Sequence, residues 1–167
     1  MPNLTIPQEI AHYLSLPVHF DGHIELTEEL RDSEIFLICT KKGLADPERG
    51  FVPSYHFAVC KGSEQIGQVD IRIGYNERLY YGGNHGYGIN EAYRGNGYAA
   101  RAVRLLAPIA KAHGMTKLLI SNDLDNIASA RVCEKLGAKL LRVAPIPAWH
   151  DLAIKRSEIN IWEWTLD

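Results

Sequence analysis

The chain has 167 residues, a formal net charge of −2 and three cysteines. This length fits one domain, and a domain of this size buries roughly 70% of its unfolded surface, so it needs no disulfide or metal to hold it. The near-neutral charge gives no overall attraction to nucleic acid or to an anionic membrane surface. Cys39, Cys60 and Cys133 stand far apart without a C-x-x-C pair, which argues against a disulfide framework or a thiolate metal site.

Other features of the chain bear on its location and ligands. The N-terminus lacks a basic stretch followed by an apolar run, so it does not look like a signal peptide. No segment approaches the roughly 18 continuous apolar residues of a membrane span. His19, His23 and His150 lack the short spacing of metal ligands. We therefore expect a cytoplasmic protein with no metal site, and with neither nucleic acid nor membrane as a partner.

The first half of the chain is predicted to consist mostly of strands after one helix. The helix covers 7–16, with Pro7 at its first position, and a helical turn is expected to begin at Thr27. Residues 41–54 hold two prolines and two glycines and should form a loop. The repeated glycines around the fourth strand indicate a bulge or a close approach by another backbone. Apolar runs or alternation predict strands at 35–40, 55–60, 65–73 and 85–89.

The second half alternates strands with helices. From Gly97 the apolar spacing becomes helical, and we expect Pro108 to kink this helix and Gly114 to cap its end. A second helix is predicted over 126–136. The remaining strands are predicted at 117–121, 139–143 and 158–164. Strands first, and then strands alternating with helices, predict a mixed sheet with helices on its faces.

A glycine-containing loop joins the fourth strand to the following helix, with the sequence Arg94-Gly95-Asn96-Gly97-Tyr98-Ala99. Glycines there let successive backbone N–H groups turn toward one centre, and the helix dipole adds partial positive charge, so pyrophosphate is the natural ligand. A tight turn without a ligand is the plain alternative. The stretch from Gly95 to Ala100 also satisfies the dinucleotide fingerprint, with Asp123 near the later acidic position. That fingerprint normally opens a domain, however, and here only about 70 residues follow it.

Two stretches resemble signatures of the GNAT (Gcn5-related N-acetyltransferase) family. Residues 87–100 resemble the acetyl-CoA motif Arg/Gln-x-x-Gly-x-Gly/Ala, and residues 126–138 resemble an Asn-led helix ending in Glu-Lys-Leu-Gly. The resemblance runs from about 55 to 143. It implies an α+β fold of three layers, with a mixed, mostly antiparallel sheet of six or seven strands and helices on both faces. We expect one such domain over 1–167, with residues 1–34 as an N-terminal extension.

The resemblance also implies an activity. The protein would move an acetyl group from acetyl-CoA to an amine by direct attack, with a small molecule or a peptide as acceptor. A GNAT-like module that binds acyl-CoA as a sensor, without turnover, is the alternative from another functional class. The resemblance to this family also suggests that the protein forms a homodimer.

Several residues would bind the cofactor, by resemblance. Tyr87, Gly88 and Ile89 would give backbone bonds to the pantetheine arm, in a gap between the fourth and fifth strands. The pyrophosphate would be held by Arg94, Gly95, Asn96, Gly97, Tyr98 and Ala99. Asn126 would bind the pantetheine amide, although simple helix capping explains it equally well. Asn122 and Ser129 would make further contacts.

The catalytic residues are harder to assign. Cys133 occupies the position where the family often has a proton-donating tyrosine, and packing of a small buried cysteine is the alternative. Asp70 and His85 are candidate bases for the acceptor amine. An ion pair of Asp70 with Arg72, and a local hydrogen bond of His85, are the structural alternatives. Because the loop 41–54 is short, residues 1–34 are expected to help wall the acceptor site, or the site is open.

Overall fold

The computed structural model describes residues 3–26 and 29–167. Within these ranges, seven strands run over Phe36–Gly43 (β1), Ser54–Lys61 (β2), Glu64–Arg72 (β3), His85–Ile89 (β4), Lys117–Asn122 (β5), Lys139–Pro145 (β6) and Glu158–Thr165 (β7). The described residues also form five α-helices, Ile6–Leu14 (α1), Glu77–Gly82 (α2), Tyr98–Arg104 (α3), Ala107–Ala112 (α4) and Ile127–Leu136 (α5). The helical turn expected from Thr27 begins at a residue outside the described ranges.

The strands and helices expected from the pattern are present, with three differences. β1 continues to Gly43, into the segment expected to be a loop. The helix expected to kink at Pro108 is broken into α3 and α4, because a proline lacks the N–H that would continue the helical ladder. The pattern did not predict α2, whose six residues are too few to display a helical period.

The strands form two antiparallel sheets, ordered β1-β2-β3-β4 and β5-β7-β6. The division falls between β4 and β5, where the gap was expected. Asn84, just before β4, joins the two sheets: its N–H donates to the Leu119 carbonyl at 2.7 Å, and its Oδ1 accepts from the Leu119 N–H at 2.8 Å. Because β4 pairs antiparallel with β3, the loop after β4 does not belong to a parallel dinucleotide-binding unit.

Helices cover both faces of the second sheet, as expected. Leu118 and Ile120 of β5 belong to the main core, which also contains Val103 of α3 and Val132 of α5. The intervening Leu119 belongs to a second core, with Tyr13 of α1 and Tyr80 of α2 among its members. Successive side chains of a strand point to opposite faces, so this alternation places the two sets of helices on opposite sides of the sheet. Within the described ranges, no helix combines the length and the apolar character that crossing a membrane would require.

Buried polar contacts fix α1 against the sheet. A capping box begins the helix, in which Thr5 Oγ1 accepts from the Gln8 N–H and the Gln8 side chain accepts from the Thr5 N–H. Glu9 is buried and accepts from the Tyr80 hydroxyl at 2.6 Å and from Arg142 at 3.0 Å. The N-terminal segment is therefore part of the packed structure.

Candidate active site

The backbone of β4 is turned toward the gap between the sheets. Arg72 N–H donates to the Asn84 carbonyl at 2.7 Å, and Asn90 N–H donates to the Ile66 carbonyl at 2.8 Å. In an antiparallel ladder, residues bonded to the neighbouring strand alternate with residues whose N–H and C=O point away. The peptide groups of the odd-numbered residues His85, Tyr87 and Ile89 therefore face away from β3 and into the gap.

The glycine loop after β4 requires its glycines. Gly95 and Gly97 have φ angles of 83° and 76°, in the left-handed region that other residues adopt at a cost. Arg94 Nε donates to the Ile89 carbonyl at 2.8 Å and so fixes the loop against the end of β4. A Cβ on Gly97 would lie 3.5 Å from Lys135 Nζ, so α5 brings a positive charge to the loop.

A cavity of about 600 Å³ opens between this loop, β4 and α5. Ten of the twelve residues predicted to bind the cofactor line it: Tyr87, Gly88, Ile89, Arg94, Gly95, Gly97, Tyr98, Ala99, Asn126 and Ser129. We call it the loop cavity. Arg131 and Lys135 also line it, and the sequence pattern did not indicate them. Their spacing of four residues on the Asn126 helix was the available signal, because such residues share one helix face.

Two residues of the loop have other contacts than expected. The Asn96 side chain is not among the groups that line the cavity; its amide donates to the carbonyls of Tyr93 at 3.0 Å and Arg94 at 3.3 Å. The Tyr98 side chain is buried, and its hydroxyl donates to Glu34 at 2.9 Å. Asn96 therefore shapes the loop, and Tyr98 anchors it to the segment before β1.

The two remaining asparagines hold α5 in place. Asn126 Oδ1 accepts from the Ser129 N–H at 3.0 Å and caps the helix, while Asn126 also lines the loop cavity. Asn122 is buried; its Nδ2 donates to Ser129 Oγ at 3.2 Å and to Cys133 Sγ at 3.6 Å, and its Oδ1 accepts from Trp162 Nε1 at 3.1 Å. Asn122 thus orients the side chains of α5 that face the gap.

A second cavity, of about 320 Å³, occupies the gap between β4 and β5. We call it the gap cavity. It shares Tyr87, Asn126 and Ser129 with the loop cavity, so the two are adjacent. His85 and Asn122 also line it.

A third cavity, of about 840 Å³, lies over the polar face of the first sheet. Asp70 lines it, so we call it the Asp70 cavity, and it shares Gly82 and Leu152 with the gap cavity. Gly86 of β4 leaves room for the polar side chains of β3, since a Cβ there would lie 2.9 Å from Asp70 Oδ1. The three cavities are therefore neighbours, arranged from the glycine loop past β4 to the polar face of the first sheet.

The wall of the Asp70 cavity comes from two loops. One is the segment after β1, whose lining residues include Leu44, Phe51 and Val52. The other precedes β7 and contributes His150 to Leu152, which the sequence pattern did not assign to the site. Among the described residues of the N-terminal extension, none lines this cavity. Asp32 and Glu34 of that extension instead bind Arg101 of α3, at 2.8 Å and 2.9 Å.

Asp70 and His85 lie on opposite faces of the first sheet, so they do not form one catalytic pair. Asp70 makes the ion pair with Arg72, at 3.2 Å. Burial raises the pKa of Asp70, although the charges of Arg72 and His56 act in the opposite direction. The carboxylate is thus a stronger base than an ordinary aspartate.

The His85 ring is buried in the gap, and neither of its nitrogens has a hydrogen-bond partner within residues 3–26 and 29–167. Burial, with a contribution from the charge of Arg72, lowers the pKa of His85 to about 4. The ring is therefore neutral at pH 7. His85 lines the gap cavity. Its neutral ring can donate a hydrogen bond to a group in that cavity through one nitrogen, or accept one through the other.

Cys133 is buried on α5 and lines none of the three cavities. Burial raises the pKa of its thiol to about 12, although the hydrogen bond from Asn122 lowers it. The thiol is therefore protonated at neutral pH, and it lacks the thiolate character of a nucleophilic cysteine.

Comparison with known proteins gives a family and a fold. A family model described as the acetyltransferase (GNAT) domain matches residues 17–139. No curated protein is detectably similar in sequence. The solved structure of RimL, a ribosomal L7/L12 alpha-N-protein acetyltransferase, contains coenzyme A disulfide-bonded to a cysteine of that enzyme. RimL is 14% identical, with a TM-score of 0.61 over 84% of this chain and 99% of its own.

Other solved structures share the fold. A Salmonella typhimurium acetyltransferase, described as modifying the N-terminal serine of ribosomal protein L7/L12, is 17% identical, with a TM-score of 0.55 over 72% of this chain and 67% of its own. The microcin C7 self-immunity acetyltransferase MccE, in complex with acetyl-CoA and AMP, is 18% identical, with a TM-score of 0.50 over 67% of this chain and 61% of its own. At such identities the likeness establishes the fold alone. Since the family model spans most of the chain and these neighbours have the same fold, the protein belongs to the GNAT acetyltransferase family.

Proposed function

We propose that this protein transfers an acetyl group from acetyl-CoA to an amine acceptor by direct attack. The observation that carries the proposal is the adjacency of the loop cavity, the gap cavity and the Asp70 cavity around β4. With this arrangement a thioester would approach β4 from the side of the loop cavity and an amine from the side of the Asp70 cavity. Reaction between two bound partners gains rate from proximity and orientation.

The loop cavity suits the phosphates and the pantetheine arm of coenzyme A. The backbone of Gly95 to Ala99 would hold the pyrophosphate, while Arg94, Arg131 and Lys135 supply positive charge around the same cavity. The arm would follow β4 past Asn126 and Ser129 into the gap. The coenzyme A in RimL and the acetyl-CoA in MccE, both on this fold, support the assignment.

The gap would stabilise the transition state. Acetyl-CoA supplies an activated acetyl group, whose carbonyl oxygen becomes negatively charged when the amine attacks. The carbonyl would re-form as the carbon–sulfur bond breaks and CoA leaves as its thiolate, which takes up a proton from water. The Ile89 N–H, which faces the gap, would donate to that oxygen. The neutral His85 ring lies four residues away along β4, about 13 Å, so it would hydrogen-bond a different polar group of a ligand in the gap cavity.

Asp70 would accept the proton of the acceptor amine. Amines must lose a proton before they attack, and a base is most effective when its pKa approaches the working pH. The raised pKa of Asp70, and its place in the large cavity, favour it for this role. Cys133 would pack α5 against the sheet, since a thiol with a pKa of about 12 is a weak acid at neutral pH.

The acceptor is proposed to be a peptide or small-molecule amine. Two structural neighbours are described as acetylating the N-terminus of a ribosomal protein, which supports a peptide α-amine as one member of this class. The Asp70 cavity, at about 840 Å³, is large enough for several residues of a peptide or for a molecule of similar size.

The first experiment is a thermal-shift titration with acetyl-CoA, coenzyme A, NADH and NADPH in parallel. A ligand that binds only the native state stabilises it by about 2.7 kcal/mol at a hundredfold excess over Kd. We expect stabilisation by the two CoA compounds alone, followed by release of CoA thiol with amines. Stabilisation by a nicotinamide nucleotide alone would overturn the proposal. CoA binding without thiol release across a broad amine panel would favour the sensor alternative.

A further inference from the structure

The Asp70 cavity is locally positive in a chain whose net charge is −2. Its lining includes four cationic side chains, Lys41, Lys42, Arg72 and Arg78, against the two carboxylates Asp70 and Asp151.

Two of these cations are already paired. Arg72 lies 3.2 Å from Asp70 and donates to the Gly83 carbonyl at 3.0 Å, while Arg78 pairs with Asp151. Lys41 and Lys42 form no ion pair with any residue of 3–26 or 29–167. The excess positive charge of the cavity therefore resides on these two lysines.

Lys41 stands on the same sheet face as Asp70. In the register of the first sheet, Lys41 is opposite His56, His56 is opposite Asp70, and Asp70 is opposite Gly86. Residues directly opposite each other across antiparallel strands share a face. The row thus runs from a cationic end at β1 to the edge of the gap at β4. Lys42 borders the same end of the cavity, although it stands opposite Tyr55 and so belongs to the other face of the sheet.

This row of residues sets the distance between a group bound by Lys41 and an amine that reacts beside β4. Three strand spacings, about 14 Å in all, separate the backbones of Lys41 and Gly86. The reach of a lysine side chain toward the gap reduces the span to roughly 10 Å. A group bound by Lys41 would then lie about that far from an amine positioned beside β4.

We infer that the acceptor is an amine that also carries an anionic group, a carboxylate or a phosphate, roughly 10 Å from the reacting nitrogen. The inference rests on the proposed function. A free α-amino acid holds its amine and its carboxylate on one carbon and cannot span this distance. A polyamine would meet two unbalanced lysines and is disfavoured by like-charge repulsion. The same positive field disfavours the ammonium form of a bound amine and so favours the neutral, reactive form.

The test measures release of CoA thiol from acetyl-CoA with matched acceptors. The peptide amides Ala-Ala-Ala-Asp, Ala-Ala-Ala-Asn and Ala-Ala-Ala-Arg carry an anionic, a neutral and a cationic side chain at the fourth residue. That residue lies about 10 Å from the N-terminal amine, because an extended chain advances 3.3–3.6 Å per residue. Aminohexyl phosphate, compared with aminohexanol, tests a phosphate on a small molecule. We expect kcat/KM to be about tenfold higher for the anionic member of a set than for the neutral one. High salt should reduce the difference.

Charge reversal at the lysines supplies the second arm. Lys41→Glu and the double variant Lys41→Glu/Lys42→Glu should abolish the preference or reverse it toward the arginine peptide. Stabilisation by acetyl-CoA should remain, because neither lysine lines the loop cavity. Lys139→Glu, on β6 and outside all three cavities, makes the same charge change and should keep the preference.

The outcomes separate the two proposals. Thiol release with equal efficiency for anionic, neutral and cationic acceptors would overturn the inference and leave the transferase proposal standing. A preference for anions that survives the double variant would also overturn it. Absence of thiol release with every acceptor, while acetyl-CoA still binds, would instead overturn the proposed transferase activity. Comparison of the peptide and phosphate arms identifies which source of the anion the cavity accepts.

Discussion

His85 brings a buried, neutral imidazole into the gap, with no hydrogen-bond partner for either nitrogen among the described residues. Such a group costs folding energy unless a ligand or water satisfies it. It also makes the free energy of unfolding depend on pH, because the pKa of His85 is about 4 in the folded protein and 6.5 for an ordinary histidine. Between these values the unfolded chain binds a proton that the folded chain does not, so stability falls as the pH is lowered from 6.5 toward 4.

His85→Gln should flatten this pH dependence. The wild type should lose about 3 kcal/mol relative to the variant between the two pKa values, as follows from the size of the shift. Urea unfolding of both proteins at several pH values measures the difference. Parallel pH profiles for the two proteins would contradict the assignment.

Asp70→Asn should remove the base while keeping the shape of the side chain. We expect kcat/KM for the amine to fall by about 10²-fold or more, with acetyl-CoA stabilisation preserved. In the wild type, kcat/KM should fall on the acid side as Asp70 becomes protonated, at a pH above the ordinary aspartate range, since burial raises its pKa. The Asp70→Asn variant should not show this fall of kcat/KM at acid pH. A loss below threefold would remove Asp70 from the mechanism.

Cys133→Ala distinguishes packing from acid catalysis. If the cysteine only packs α5, turnover should stay within about tenfold of the wild type. A loss of about 10² or more in a folded Cys133→Ala protein would establish proton donation to the leaving thiolate.

At the scale of elements, the N-terminal extension holds the helix that follows the glycine loop. Arg101 of α3 binds Asp32 through two nitrogens, at 2.8 Å and 3.0 Å, and binds Glu34 at 2.9 Å. Burial alone would raise the pKa of Asp32, but the hydrogen bonds from Arg101 and from the backbone lower it to about 2. The extension thus holds α3, the helix after the glycine loop, in place. Its expected part in binding the acceptor stays a prediction.

Gly97→Glu should abolish stabilisation by coenzyme A. The new side chain would enter the loop cavity and place a negative charge where the pyrophosphate is proposed to lie. Gly62→Glu is the matched control, because Gly62 also has a positive φ, lies in open space in the β2–β3 turn and lines none of the three cavities. Any change in basal stability common to both variants reflects backbone strain. CoA affinity of Gly97→Glu within threefold of the wild type would refute the loop assignment.

At the scale of the molecule, the two sheets form one structure with a slot between them. Asn84 joins them: besides its two bonds to Leu119, its Nδ2 donates to the carbonyls of Arg72 at 3.1 Å and Gly74 at 2.8 Å. The residue is fully buried, so these bonds are shielded from water. Asn84 therefore holds β5 against the start of β4 at one end of the gap, while the gap cavity adjoins the loop cavity.

Asn84→Ala should destabilise the whole domain by about 3 kcal/mol, since it leaves several buried backbone groups unsatisfied. Asn84→Asp keeps the oxygen that accepts from Leu119 but loses both donors, and should also destabilise. Thermal unfolding measures both variants, and acetyl-CoA titration reports whether the gap keeps its shape. Wild-type stability in both variants would mean that the sheets are joined by other contacts.

The sequence predicted most of the elements because their signals are local. The apolar alternation of β3 and the glycine caps at Gly114 and Gly137 depend on neighbouring residues, and the structure places positive φ angles at both glycines. Ten of the twelve residues predicted to bind the cofactor line one cavity for the same reason, since the loop and the Asn-led helix are each continuous stretches. α2 and the segment before β7 carried no such signal, because a six-residue helix and an irregular loop have no period.

By itself the sequence determined the family, the element order and the loop that would hold a pyrophosphate, because each depends on a pattern within contiguous residues. Only the tertiary structure decided which distant groups meet. It placed Asp70 and His85 on opposite faces of one sheet, brought Arg131 and Lys135 to the glycine loop, and set Lys41 in one row with Asp70. Those relations depend on strand register and on helix packing, which non-local contacts fix and which no short stretch of sequence encodes.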